Sequence, residues 1–275
     1  MSNYPEKAKM HKCRFVVKMA GLTYEVNSIY ASSQLLCKDY ITSEKPDITV
    51  HIEENDIIQE IEKGEIFYYS CIEYSDSSES KRVIAREINR NNIESVILYR
   101  KIIEASLDYG VFFMHGAVVV VNDSAYMFTA PSGTGKTTHI LKWLDKLKDA
   151  YVLNGDKPLL KITESKVIAC GTPWQGNENM GTNAMVPLKA IVLMERSDRN
   201  TIEEISFVQA YPFLLQQVYL PDDAEKARKE LALLLQLNGK VKFFKFRFNN
   251  FLDDCFQTSY DVLVKKCDNF GKTDR

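Results

Sequence analysis

The sequence predicts an α/β fold with a phosphate-binding loop (P-loop) at its centre and a β-rich N-terminal region, and three observations predict it. The first is the run Phe128-Thr-Ala-Pro-Ser-Gly-Thr-Gly-Lys-Thr-Thr138. The second is the stretch before it: residues 116–121 are continuously apolar and 125–129 alternate loosely, so two short strands meet across an Asn122-Asp123 turn. The third is the stretch after it, where Ile140, Leu141, Trp143, Leu144 and Leu147 recur at helical spacing. Strand, glycine-rich loop and helix stand in the order a nucleotide cradle needs.

In chain order, short β-branched or aromatic runs at 13–19, 22–26, 48–52, 66–74 and 83–88, each bounded by polar breaks, read as strands. Ser75-Asp-Ser-Ser-Glu-Ser80 reads as a polar turn or hairpin tip. A helix over 93–112, with Val96, Leu98, Ile102, Ile103 and Leu107 inward, leads into the nucleotide core. Beyond the loop helix come strands at 150–153, 159–162 and 166–170, a buried strand at 190–194, an amphipathic helix at 223–237, a strand at 241–248 with alternating Phe and Lys or Arg, and a closing helix at 253–266. The expected organisation is a β-rich region over 1–95 packed on a core over 96–275.

The chemistry of the loop comes from its residue types. Gly133 and Gly135 let the backbone of Ser132 to Lys136 turn its N–H groups inward, Lys136 reaches the outer phosphates, and the Thr137 hydroxyl is placed to ligate magnesium. Thr138 and the helix it opens add partial positive charge from the helix N-terminus. Ala130 stands where the general pattern begins with Gly, which implies an adjusted loop entry. A plain Gly/Ser/Thr turn is the alternative, but such a turn has no need of Lys and two Thr directly after the glycines.

Composition narrows the function. With 275 residues and 45% hydrophobic content the chain supports a sizeable core. A net charge of -2 and the absence of a basic stripe argue against a nucleic-acid partner. Six cysteines without a CxxC pair argue against zinc and fit a reducing cytoplasmic setting. No run approaches the roughly 18 apolar residues of a membrane span.

Two further segments carry candidate chemistry. Asp156 stands after an apolar strand about twenty residues beyond the loop, where a second magnesium-organising carboxylate is usual. It either serves the metal or the attacking hydroxyl, or it is the Asp of a Gly-Asp turn that accepts backbone N–H bonds. Residues 171–185, polar and bearing Trp174, Glu178 and Asn179, form either a loop that closes over substrate or a surface connection whose tryptophan plugs the core.

Together, Met114-His115-Gly116 leading into a strand, Ser132-Gly-Thr-Gly-Lys-Thr-Thr138, and Leu153-Asn-Gly-Asp156 resemble the HPr kinase/phosphorylase family, whose nucleotide core is shared with phosphoenolpyruvate carboxykinase. The likeness covers about residues 100–200 and extends to the HPr-kinase-like serine kinases found beside lasso-peptide and other peptide-modification systems. It implies a kinase that uses ATP and Mg2+ to phosphorylate a hydroxyl, on the Ser/Thr of a peptide or small protein or on a small hydroxylated metabolite. By position, Lys136 and Thr137 match the phosphate-binding Lys and the magnesium-binding Ser/Thr, His115 matches the family's His-Gly histidine, and Asp156 matches the second residue of its Asp-Asp pair. Gly155 departs from the pattern, because the family's first aspartate, often regarded as the proton acceptor, has no side chain here. Asp156 then serves both metal and base, or His115 takes the proton, or the reaction runs without a strong base. The alternative is a nucleotide-binding module without catalysis in a peptide-maturation system. Glu178 and Gly181 match the family's Glu-x-x-Gly element only weakly, which leaves Glu178 and Asn179 as candidate substrate contacts and favours kinase activity alone.

Overall fold

The computed structural model describes residues 12–63, 69–75 and 82–267. They fall into two compact units, one within 1–18 and 22–105 and the other within 19–21 and 106–275.

In the first unit β1 (Cys13–Met19), β2 (Leu22–Ser28) and β3 (Ile48–His51) form a three-stranded sheet with β2 in the middle and β3 parallel to it. Helix α1 (Ala31–Leu36) joins β2 to β3, and α2 (Glu54–Glu62) comes after β3. At six residues α1 is too short to show a helical period, so the sequence does not announce it. Its N-terminus is capped from outside: the buried Glu94 carboxylate accepts from Tyr30 N (3.2 Å), Ile29 N (2.5 Å) and Ser33 Oγ (2.7 Å). Burial raises the Glu94 carboxyl and these three donors pull it back, which is how a buried charge is kept tolerable. Strands β4 (Tyr69–Ser75) and β5 (Arg82–Ile88) pair antiparallel, and α3 (Arg90–Ser106) closes the unit. The expected turn over 75–80 lies, beyond Ser75, outside the described residues.

Helix α3 ends at Ser106, short of the expected 112. A 3-10 turn over Leu107–Tyr109 and Gly110 at φ 71 stop it, and Val111–Phe113 becomes a strand, β6. The apolar side chains of that strand continue the helical period by accident, and the left-handed glycine decides the matter.

The second unit is a curled nine-stranded sheet with helices on both faces. Its strands are β6, β7 (Ala117–Val121), β8 (Ser124–Thr129), β9 (Tyr151–Asn154), β10 (Leu159–Ile162), β11 (Val167–Cys170), β12 (Met185–Arg196), β13 (Thr201–Ile205) and β14 (Lys242–Phe248). Its helices are α4 (Lys136–Lys146), α5 (Phe207–Leu214), α6 (Ala224–Leu235) and α7 (Cys255–Cys267). Strand β12 makes the curl. Its first residues pair antiparallel with β11, a register shift comes between Leu188 and Ala190, and the remainder pairs parallel with β8 on one side and β14 on the other.

Alternation divides the core. Val118, Val120, Met127, Ile191 and Leu193 face α5 and α6, while Val119, Tyr126, Phe128, Val192 and Met194 face α4 and α7. Both faces are covered, which is why β7 reads as an unbroken apolar run and every residue of β8 is buried.

One buried acid has no role in the site. Glu230 on α6 is fully buried beside Phe113, and among the described residues no hydrogen bond of good geometry reaches either oxygen. Burial pushes its carboxyl up to about 9, and the Phe113 backbone offsets this only in part. Between pH 4.5 and 9 the folded chain therefore holds a proton that the unfolded chain releases, so stability falls as pH rises through that window. The expected loss is on the order of 3 kcal/mol between pH 4.5 and pH 7. Denaturant unfolding across this range will show the slope in the wild type, and Glu230→Gln will flatten it; an unchanged slope in the variant contradicts the assignment.

Candidate active site

Strand directions gather the candidate residues on one edge. Strands β12 and β14 run parallel to β8, and β9, antiparallel to β7, runs the same way. Their C-terminal ends therefore share an edge with the loop after β8 and with the residues that lead into β7. In open α/β sheets this edge is where ligands bind. It carries Ser132 to Thr138, His115, Asp156 and Arg196.

The loop has the shape the sequence implies. Gly133 (φ 74) and Gly135 (φ 117) both adopt left-handed backbone, and Gly135 is the N-cap of α4. At Gly135 the backbone conformation is what requires glycine, and a Cβ there would also displace the Asn250 side chain, whose Nδ2 would lie 2.9 Å away. Ser132 and Thr138 are exposed and Thr137 is half-buried at the first turn of α4, whose leading amides have no acceptor within the helix. The Thr134 hydroxyl donates to Pro131 O at 2.7 Å and holds the loop's outer corner.

Lys136 is buried, and its ammonium donates to Ala130 O at 2.8 Å and Pro131 O at 3.3 Å. The carbonyl of Ala130, the position that departs from the general pattern, is thus the lysine's anchor. Burial lowers the ammonium's pKa and the charge of Asp156 raises it. Lys136 and Asp156 are therefore close enough to feel each other.

Asp156 sits on a braced turn. Asn154 Oδ1 accepts from the amides of Asp156 (2.9 Å) and Lys157 (2.7 Å), and Asn154 Nδ2 donates to Thr172 O (3.1 Å) and Oγ1 (3.0 Å). The Asp156 carbonyl accepts from Gly116 N at 3.0 Å, and its carboxylate meets His115 Nε2 at 3.1 Å. Burial favours the neutral acid, but the His115 hydrogen bond and the charges of His115, Lys157 and Lys136 outweigh it and hold Asp156 below the usual carboxylate range. The side chain is ionised at neutral pH.

His115 is held on three sides. Its N–H donates to Gln217 O at 2.7 Å, its Nδ1 faces Gln217 Oε1 at 3.2 Å, and its carbonyl accepts from Thr129 Oγ1 at 2.7 Å. A carboxylate only accepts, so Nε2 carries the hydrogen toward Asp156. Nδ1 then accepts from the Gln217 amide with its NH2 group turned to the ring, so both ring nitrogens are engaged and the ring is held against Asp156.

The segment after β11 is a folded loop. Trp174 is buried, Thr182 N donates to Leu153 O at 3.0 Å, and Thr182 Oγ1 donates to Val152 O at 3.0 Å. This packing explains Gly155. A Cβ there would lie 2.6 Å from Gln175 O and 3.3 Å from Met180 O, so the backbone of the loop fills the place where a side chain would stand. The same loop brings Glu178 toward the site: a Cβ on Gly176 would lie 3.1 Å from Asp156 Cβ and 3.7 Å from Glu178 Oε2. Asn179 is exposed in left-handed backbone (φ 50) and donates its N–H to Gly176 O at 3.2 Å, the geometry of a turn residue.

Several residues of this edge are not legible in the sequence. Arg196 donates from Nε to Thr134 O (3.0 Å) and from Nη2 to Gly133 O (2.6 Å), bracing the loop from outside. Asn250 donates to Gly135 O at 3.2 Å, and Gln217 holds His115. Arg196 is signalled only by standing at the end of an apolar run; nothing marks Asn250 or Gln217. Beside the loop's outer residues Pro131 to Thr134 opens a cleft of about 830 Å3, floored by β12 and β14 and walled by β13 and α5. Glu195, Glu203, Lys245 and Arg247 line it as an ion-paired network. Among the described residues no helix is long and apolar enough to cross a membrane.

No protein-family model matches the chain, and no curated protein matches it. Among solved structures the chain is similar to one described as the Hpr(Ser) kinase/phosphatase from Coxiella burnetii, with 10% identity over 59% of this chain and 98% of that one, at a TM-score of 0.35. A likeness that distant says nothing of this chain's activity.

Proposed function

We propose that this chain is an ATP-dependent kinase of the P-loop type, transferring the γ-phosphoryl group to a hydroxyl. One observation carries the reading: the buried Lys136 ammonium and the ionised, His115-braced Asp156 carboxylate converge on the edge that holds the Ser132 to Thr138 loop. A cation for the transferred group and a carboxylate for the metal and the nucleophile are the two charges that phosphoryl transfer requires.

The loop amides and Lys136 bind the β- and γ-phosphates. The Thr137 hydroxyl and Asp156 supply hard oxygen ligands suited to Mg2+, which when bound neutralises charge on the phosphates. Asp156 receives the acceptor's proton as the acceptor oxygen bonds to phosphorus and the bond from phosphorus to the ADP oxygen breaks. His115, with both nitrogens engaged, positions Asp156. The role of Gly155 is then steric, and a loose transition state tolerates a single weak base. The acceptor is the Ser/Thr hydroxyl of a peptide or small protein, or a small hydroxylated metabolite.

Incubation of the chain with γ-labelled ATP, magnesium, a Ser/Thr peptide library and a mixture of sugars and polyols tests this. Label on an acid-stable phosphate ester is expected, lost in Asp156→Asn. Nucleotide binding without label on any acceptor favours the second reading, a non-catalytic nucleotide module, to which the filled position at Gly155 lends support.

A further inference from the structure

The turn after β14 has a well-anchored backbone. Asn249 N donates to Asn200 Oδ1 at 2.7 Å, Asn200 Nδ2 donates to Asp254 Oδ1 at 2.6 Å, and Phe251 N donates to Asn249 Oδ1 at 2.9 Å. Asn250 ties the turn to the phosphate loop by donating to Gly135 O at 3.2 Å. Between these anchors Phe251 is 96% exposed. A phenyl ring left in water on a backbone this well held gains nothing for the folded chain, whereas most of the molecule's phenylalanines are buried.

Its position supplies the reason. The turn leaves the sheet on the ligand-bearing edge, and its Asn250 side chain touches the last glycine before α4, next to the residues assigned to the phosphates. A nucleotide whose phosphates occupy the loop must place its base within one nucleoside length of that glycine. We propose that Phe251 is the stacking platform for the heteroaromatic base of the nucleotide, presented in advance by the asparagine-braced turn. The inference rests on the nucleotide reading above and adds to it the residue that distinguishes a nucleoside triphosphate from bare polyphosphate. Aromatic rings suit this role because every base offers a π-face and a rigid ring loses little freedom on contact.

The test compares two probes, MgATP and magnesium tripolyphosphate, by calorimetric titration of wild type, Phe251→Ala and Phe251→Tyr. Because the ring is exposed, Phe251→Ala is expected to keep the wild-type melting temperature. MgATP affinity should drop about tenfold in Phe251→Ala and be kept in Phe251→Tyr, with tripolyphosphate affinity equal in all three. Undiminished ATP affinity in Phe251→Ala overturns the proposal while leaving the phosphate site standing, and so does a variant that changes only the oligomeric mass. Equal loss of both probes also overturns it. A wild type that binds neither probe overturns this proposal and the nucleotide reading together.

Discussion

If the chain is the kinase proposed, Lys136→Ala is expected to lower the rate of phosphoryl transfer from ATP by on the order of 10^3-fold and to leave the fold in place. The ammonium is already aimed into the loop by Ala130 O and Pro131 O and is partly stripped of water, so binding phosphate exchanges two carbonyl contacts for charge-assisted ones. Alanine loses both the charge and its placement. The structural loss is smaller, about 1–3 kcal/mol, because Ala130 O is left buried without its donor while Pro131 stands on the exposed side of the loop. Transfer of label from ATP, read beside circular dichroism, separates the two effects. A folded Lys136→Ala variant with undiminished transfer would sink the assignment of the loop.

The second large effect concerns Gly155. Gly155→Asp introduces the carboxylate that the resemblance leads one to expect, and the chain is expected to lose stability without gaining activity. The new Cβ would stand 2.6 Å from a backbone oxygen of the loop carrying Trp174, and that loop is pinned to β9 by Thr182. Backbone cannot swing aside as a side-chain tip can. The cost is on the order of 2–4 kcal/mol, a fall in melting temperature of roughly 5–10 °C. A Gly155→Asp variant that melts with the wild type and transfers phosphate faster would show that the loop yields and that the position is open to a catalytic group.

These two residues also show how far the sequence can be read. The loop is legible because its chemistry is local: strand β8, two left-handed glycines, Lys136 and helix α4 are consecutive, and each leaves its own mark. His115 and Asp156 stand 3.1 Å apart in space but far apart along the chain, and only a resemblance to a known pattern suggests that they belong together. The reason for Gly155 is invisible in the sequence, since it depends on where Gln175 O lies after a long loop has folded back.

Among the elements, β13 escapes a reading by pattern because an exposed edge strand with two adjacent glutamates has no buried face to alternate against. Helix α5 escapes it because Pro212 stands inside the helix and reads as a breaker. Strand β12 shows in the sequence only over 190–194 but runs Met185–Arg196, because its first residues pair at the curled end of the sheet, where burial alternates with exposure. Arg196 and Gln217 are lost with those boundaries.

The most direct test of the central claim is a calorimetric titration of ATP into wild type, Lys136→Ala and Asp156→Asn, each with magnesium and with EDTA. If Lys136 and Asp156 act on one nucleotide at this edge, the wild type binds ATP with a dissociation constant in the micromolar range and only with magnesium. Lys136→Ala then binds at least roughly 100-fold more weakly, and Asp156→Asn loses the dependence on the metal. No heat with the wild type, or three identical isotherms, would contradict the account.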